Sequence, residues 1–317
     1  MGIKKSALTP RMAEVGKIKI GGKGAKRKDK AGNDYNIPQK YDHFVVTTTE
    51  RGDDGNYIID GNIMSRIGQN ARELRIRLLF DDIDMNFNTS FAMYAGKKRI
   101  CYGDGETSIR TKKDGTTETV ACNPETCQFF KDGKCKVSGI LSCALPDAME
   151  LGGVYRFRTH SWNSVSSILA ALEFFAANTN GILQGLPLKL KMVKKVTEEH
   201  GTIDYVTIVL DGLEMMEMRR AALSEFQNRK LLGIEMKKIE LQAVESGFLQ
   251  DDHDSDADVE EEFYGEDVTP VPTQAPEKGT SPDDLAEAVT AKKTPKPAPD
   301  PSPSEPDEEE KTELDLF

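Results

Sequence analysis

Apolar and β-branched residues recur along this chain mostly with a period of two, which predicts strands through much of the first 210 residues. A short strand is expected over 15–20, where Lys17 and Lys19 interleave with Val15, Ile18 and Ile20. Further strands are expected at 38–49, at Tyr57-Ile58-Ile59 after an Arg-Gly-Asp-Asp-Gly turn, and at 74–80 with Arg75 and Arg77 directed outward. Residues 91–95 and 97–100 follow. Over 153–162, Val154, Arg156, Arg158 and His160 share one face, and Tyr155, Phe157 and Thr159 the other. Lysines alternate in 188–193, which pairs with 205–210 as a hairpin. The period changes to that of a helix after Ser161 or Asn163, either of which can cap it. Ile168, Leu169, Leu172, Phe175 and Ala176 then form the apolar stripe, and Asn178-Thr179-Asn180-Gly181 stops it. Residues 214–245 predict one or two amphipathic helices interrupted at Gly233. The class is therefore α+β: a mixed, mostly antiparallel sheet with a few helices.

The five cysteines depart from any such period. Cys101, Cys122, Cys127, Cys135 and Cys143 all fall in one window, as ligands converging on one ion must and core fillers need not. Asn-Pro-Glu-Thr between Cys122 and Cys127 can turn two thiolates toward one point, and Cys135 follows a Lys-Asp-Gly-Lys turn. Cys143 alternates with Leu141 and Leu145 like a small buried hydrophobe, whereas Cys101 precedes the tight turn Tyr-Gly-Asp-Gly. The expected ligands are Cys101, Cys122, Cys127 and Cys135, with Cys143 as the alternate fourth. They would hold a structural zinc with thiolates at about 2.3 Å. Disulfides with an odd thiol are the competing reading. The window, about residues 97–146, then forms a zinc-stabilised hairpin insert in a domain spanning 15–249.

Charge divides the chain. Residues 251–317 carry 22 Asp and Glu against 5 Lys and Arg, a net −17, while the first 250 residues hold 37 Lys and Arg against 31 acids, a net +6. The segment 250–317 is rich in Pro, Asp and Glu with few core formers, so disorder is expected there. A basic body on an acidic tail suits a nucleic-acid-handling protein. A flexible basic arm is expected over 1–14. Phosphate contacts are expected from Lys17, Lys19, Lys23, Lys26, Arg27 and Lys28, from Arg156 and Arg158 on one strand face, and from Lys189 and Lys191. Trp162, the single tryptophan, is a candidate to stack on unpaired bases unless it packs under the helix.

Other chemistry is thin. Asp81, Asp82 and Asp84 could hold Mg2+, but no paired base accompanies them, and the four histidines are dispersed. An enzyme is not expected. No apolar run approaches the ~18 residues of a membrane span and no signal peptide opens the chain, so a cytoplasmic protein without membrane association is expected. The acidic end places Leu314, Leu316 and Phe317 where they can dock in a partner pocket. It resembles the tails of phage and bacterial single-stranded DNA-binding proteins and a sliding-clamp-binding motif, with Glu313 where that motif prefers Gln.

Several stretches together resemble the recombination directionality factor-like proteins of phages. They are Gly16-Lys17-Ile18-Lys19-Ile20-Gly21, Lys40-Tyr41-Asp42-His43-Phe44, Cys101-Tyr102-Gly103-Asp104-Gly105-Glu106, Cys135-Lys136 through Leu145-Pro146, and Gly153-Val154-Tyr155-Arg156-Phe157-Arg158-Thr159-His160-Ser161-Trp162-Asn163-Ser164. The resemblance spans about residues 15–195 and leaves out the acidic tail. It implies a zinc-containing, non-enzymatic prophage protein of the bacterial host cytoplasm that binds a serine integrase on DNA and reverses it from integration to excision. The alternative is a single-stranded DNA-binding replication or recombination protein whose tail recruits replication proteins.

Overall fold

A computed structural model describes residues 12–28, 34–53, 55–95, 98–112, 114–148, 152–197, 201–212 and 214–245. The chain divides into two units, Met1–Val271 and Pro272–Phe317; all described residues belong to the first. The tail, and with it Leu314, Leu316 and Phe317, lies outside them.

The first three strands are β1 (Ala13–Lys28), β2 (Asp34–Arg51) and β3 (Tyr57–Ile59), followed by helix α1 (Gly61–Ile67). Asp60 caps α1 by accepting from the amides of Asn62 and Ile63, both at 3.0 Å. Next come β4 (Glu73–Ile76), the short α2 (Ile83–Asn86), and the run β5 (Phe87–Ala95), β6 (Lys98–Gly103), β7 (Thr107–Thr111) and β8 (Thr117–Ala121). After the short α3 (Gln128–Lys131), β9 (Cys135–Cys143) and β10 (Gly153–Thr159) return to the body. Helix α4 (Trp162–Asn178), the hairpin β11 (Leu188–Thr197) and β12 (Gly201–Leu210), then α5 (Met215–Leu232) and α6 (Met236–Glu245) complete the described part.

Nine strands form one sheet in the order β3-β2-β1-β10-β9-β5-β6-β7-β8, and β12-β11-β4 form another. β1 and β10 run parallel, and the other ladders among the described residues are antiparallel. The expected α+β class with a mixed, mostly antiparallel sheet is the one observed. β1 and β2 are much longer than the local pattern predicts, because backbone pairing carries both strands past the last alternating apolar residue.

One apolar cluster joins the inner face of the large sheet (Ile18, Phe44, Val46, Phe87, Leu141, Phe157) to α4 (Val165, Ile168, Leu172, Phe175). It extends to the small sheet (Leu74, Ile76, Leu188, Leu190, Val206, Ile208). Full burial of each such side chain stabilises by about 1.5–3 kcal/mol. The Ser161 hydroxyl caps α4 by accepting from the Ser164 amide at 3.3 Å, and Asn180 and Gly181, at φ 55° and 83°, end it. Gly233 at φ 68° separates α5 from α6, as the sequence predicts.

Candidate functional site

The cysteine window is a meander of three strands extending one edge of the large sheet. β6, β7 and β8 pair in sequence order, and their turns fall at Asp104-Gly105-Glu106 and around Gly115. Asp104 closes the first turn by accepting from the amides of Glu106 and Thr107, both at 2.8 Å. Gly103 has no alternative, since a Cβ there would lie 2.3 Å from the Thr107 carbonyl oxygen. From Cys122 the chain turns back through Asn123, whose carbonyl accepts from the Cys127 amide at 2.8 Å. After Cys127 the short α3 forms, and Gly133 at φ 70°, in the expected Lys-Asp-Gly-Lys turn, reverses the chain into Cys135.

Register settles which thiols face each other. Met93 of β5 pairs with Cys101 on one side and Cys135 on the other, so the three side chains share a sheet face in one row. Burial pushes the Cys135 thiol up to about 12, and the neighbouring Cys101, Cys127 and Cys122 add to the shift by like-charge repulsion. Those four sulfurs therefore share one electrostatic neighbourhood. Cys143 stands apart at the far end of β9, fully buried, its Sγ donating to the Tyr155 carbonyl at 3.7 Å. Burial alone pushes it up to about 12. All five thiols are free of disulfides. Among the described residues no three His, Cys, Asp or Glu side chains already form a cage close enough to hold an ion, so the four cysteines are gathered but not closed around a point.

The expected phosphate track lies elsewhere and takes a different form. Lys17 pairs with Arg156 across the parallel ladder of β1 and β10. Lys17, Lys19, Arg156 and Arg158, at 5%, 8%, 8% and 5% exposure, line one small pocket. The expected exposed track is thus corrected to a buried one, because Glu14 and the Tyr57 ring pack against these four side chains. Glu14 sits among these cations: Arg158 grips it with two bonds of 3.1 and 2.9 Å, Lys17 approaches to 2.9 Å and Arg156 to 3.3 Å. Burial raises the Glu14 pKa, but Arg158 and then Lys17 outweigh it and carry the group down to about 2. The Tyr57 ring adds a cation–π face to Lys17, Lys19 and Arg51 at 4.7, 4.5 and 4.4 Å.

The remaining candidates divide. Lys189 pairs with Glu73 and Asp211, and Lys191 pairs with Glu73 at 2.8 Å, so this lysine stripe is charge-matched along the small sheet. Lys28 is exposed at the end of β1, and the side chains of Lys23, Lys26 and Arg27 lie outside the described residues. Trp162 opens α4 at 57% exposure and does not pack under it. The acidic cluster at 81–84 proves structural. Asp81 accepts from the amides of Leu183 and Gln184 and from Arg229, and Asp82 caps α2 through the Met85 amide at 2.9 Å. His160 is held by donation from its Nδ1 to the Val137 carbonyl, and burial lowers its pKa to about 4.

Sequence reasoning missed Glu14, Phe91 and Phe130. The i,i+3 spacing to Lys17 is the one local signal for Glu14, whose other partners, Arg156 and Arg158, lie more than 140 residues along the chain. The two phenylalanines read as ordinary strand and turn residues. Among the described residues no helix is long and apolar enough to cross a membrane.

These features define a class: an α+β protein on a mixed nine-stranded sheet, with a cysteine-bearing meander at one edge and a cation-rich seam near the other. The chain belongs to the Gp3-like family, described as recombination directionality factor-like, whose model matches residues 15–215. The match takes in both the meander and the seam and ends at the start of α5. A search of curated proteins found no match. Family membership gives the chain a phage recombination-related role.

Proposed function

We propose that the protein is a non-enzymatic accessory factor that binds DNA and a serine integrase in the host cytoplasm and turns the integrase from integration to excision. The observation that carries this reading is the family match over residues 15–215. Zinc belongs to the proposal as a structural ion. Cys101, Cys122, Cys127 and Cys135 would hold it, and they suit it chemically: four soft sulfur donors, free of disulfides, in one neighbourhood on a segment poor in core residues. Loading would relieve thiolate repulsion and clamp the meander. The test adds the purified protein to a purified serine integrase with integration and excision substrates. Promotion of excision with suppression of integration is expected; unchanged direction at saturating protein sinks the reading.

A second reading, a single-stranded DNA-binding protein with an acidic recruiting tail and docking to a sliding clamp through Leu314, Leu316 and Phe317, draws support from exposed Trp162. It requires oligonucleotide affinity that falls steeply with salt.

A further inference from the structure

Trp162 does not stand alone. Its ring lies 6.2 Å from that of Phe91 at an interplanar angle of 34°, and Phe91 meets Phe130 edge-on at 5.5 Å and 84°. The three rings come from separate elements: the first residue of α4, the middle of β5, and α3 between Cys127 and Cys135. Register fixes the place of the middle ring. Phe91 pairs with Gly103 on β6 and Val137 on β9, one row along from the Cys101, Met93 and Cys135 row and on the same sheet face. A Cβ on Gly105, in the turn that follows, would sit 3.5 Å from the Phe91 ring. The rings thus form a platform backed by the thiol cluster, with Trp162 as its open end.

Charge around the platform favours an anion-bearing partner. Lys195 reaches the side chain of Asn163, next to Trp162, at 3.3 Å. Lys131 and Lys134, exposed, follow Phe130 in the chain, with Asp132 between them 3.9 Å from Lys134. A flat, exposed indole supported from behind and rimmed by lysines matches a nucleobase joined to a phosphate. A duplex keeps its bases stacked on each other and cannot offer that face.

We propose that Trp162, supported by Phe91 and Phe130, is a stacking site for an unpaired nucleobase, with Lys195 meeting the adjoining phosphate. The proposal rests on the DNA-binding reading and sharpens it: this surface takes single-stranded or locally opened nucleic acid. Because Trp162 is the only tryptophan, its emission reports this site alone.

The test titrates the full-length protein with a labelled oligothymidine and with a duplex of equal length, reading anisotropy and tryptophan emission together. Quenching by the single strand and not by the duplex is expected. Trp162→Ala should weaken single-strand binding about 5- to 150-fold, with Trp162→Phe restoring most of it and duplex affinity unchanged. Exposure of the indole makes both variants compatible with folding, which far-ultraviolet circular dichroism checks. Single-strand binding seen by anisotropy with unchanged emission and an unaffected Trp162→Ala variant overturns the platform and leaves DNA binding standing. Equal quenching by duplex also overturns it. Absence of any oligonucleotide binding at low salt removes the DNA-binding reading itself, and the platform with it.

Discussion

Replacing Glu14 with Gln removes the carboxylate that Arg158, Lys17 and Arg156 share while preserving shape. The magnitude follows from the displaced titration. The carboxyl falls from 4.5 to about 2 on folding, and at about 1.36 kcal/mol per unit this is about 3 kcal/mol of stability. The side chain is only 16% exposed, so solvent screening reduces the figure little. Loss of one partner of a buried pair independently predicts about 3–5 kcal/mol. For a body of this size that is a fall of about 6–12 °C in Tm at pH 7. The pH dependence carries the sharper check. A carboxyl with a lowered folded-state pKa stabilises above its unfolded value, so the gap between wild type and Glu14→Gln should be full above pH 4.5. It should close as pH falls toward about 2. His160 contributes a separate acid loss, since its pKa drops from 6.5 to about 4 on burial; protonation of the unfolded chain destabilises both proteins alike from 6.5 downward. Thermal melts of the pair from pH 7 to pH 2.5 decide the matter. A shift smaller than about 2 °C at pH 7, or one that does not shrink in acid, refutes the argument.

Metal analysis of purified protein should find one zinc per chain, retained by Cys143→Ser and lost from Cys101→Ser; full retention in the Cys101 variant overturns the ligand set. Cys143→Ser should still lower stability by about 1–3 kcal/mol in denaturant titrations, because it places a hydroxyl in a fully buried site. Gly139→Ala should destabilise by about 1–3 kcal/mol, since the new Cβ would lie 2.7 Å from Phe87 Cζ and 2.9 Å from Val165 Cγ2; an unchanged denaturation midpoint contradicts that packing. Arg229→Leu should cost about 3–5 kcal/mol by stripping Asp81 and Glu225 of their guanidinium partner, and should speed proteolysis within α5; an unaltered digestion pattern argues against Arg229 as the anchor of that helix.

Much of the fold was legible locally, for physical reasons that differ by element. The α4 stripe, its Ser161 cap and its Asn180-Gly181 stop are set by contacts within a few residues, so sequence spacing carries them. The hairpin of β11 and β12 and the separation of Cys143 from the other thiols follow from alternation, which one strand displays by itself. Alternation did not disclose the burial of Arg156 and Arg158. It gives the faces of a strand but not what covers them, and here Glu14 and Lys17 of β1 pack against the two arginines. Trp162 was open to either reading, because the ring's exposure depends on how β5 and α3 approach the helix start.

What the sequence determined by itself is therefore local or compositional: the α+β class, the gathering of the cysteines in one window, the division of charge, and the motifs that mark the family. Tertiary structure alone decided which charges are usable. The parallel pairing of β1 with β10, between segments about 140 residues apart, draws Lys17, Arg156 and Arg158 around Glu14 and buries them, and β-register sets Phe91 on the thiol face, where α3 and the start of α4 bring Phe130 and Trp162 to it. Such contacts depend on strand order, which no short stretch of residues encodes.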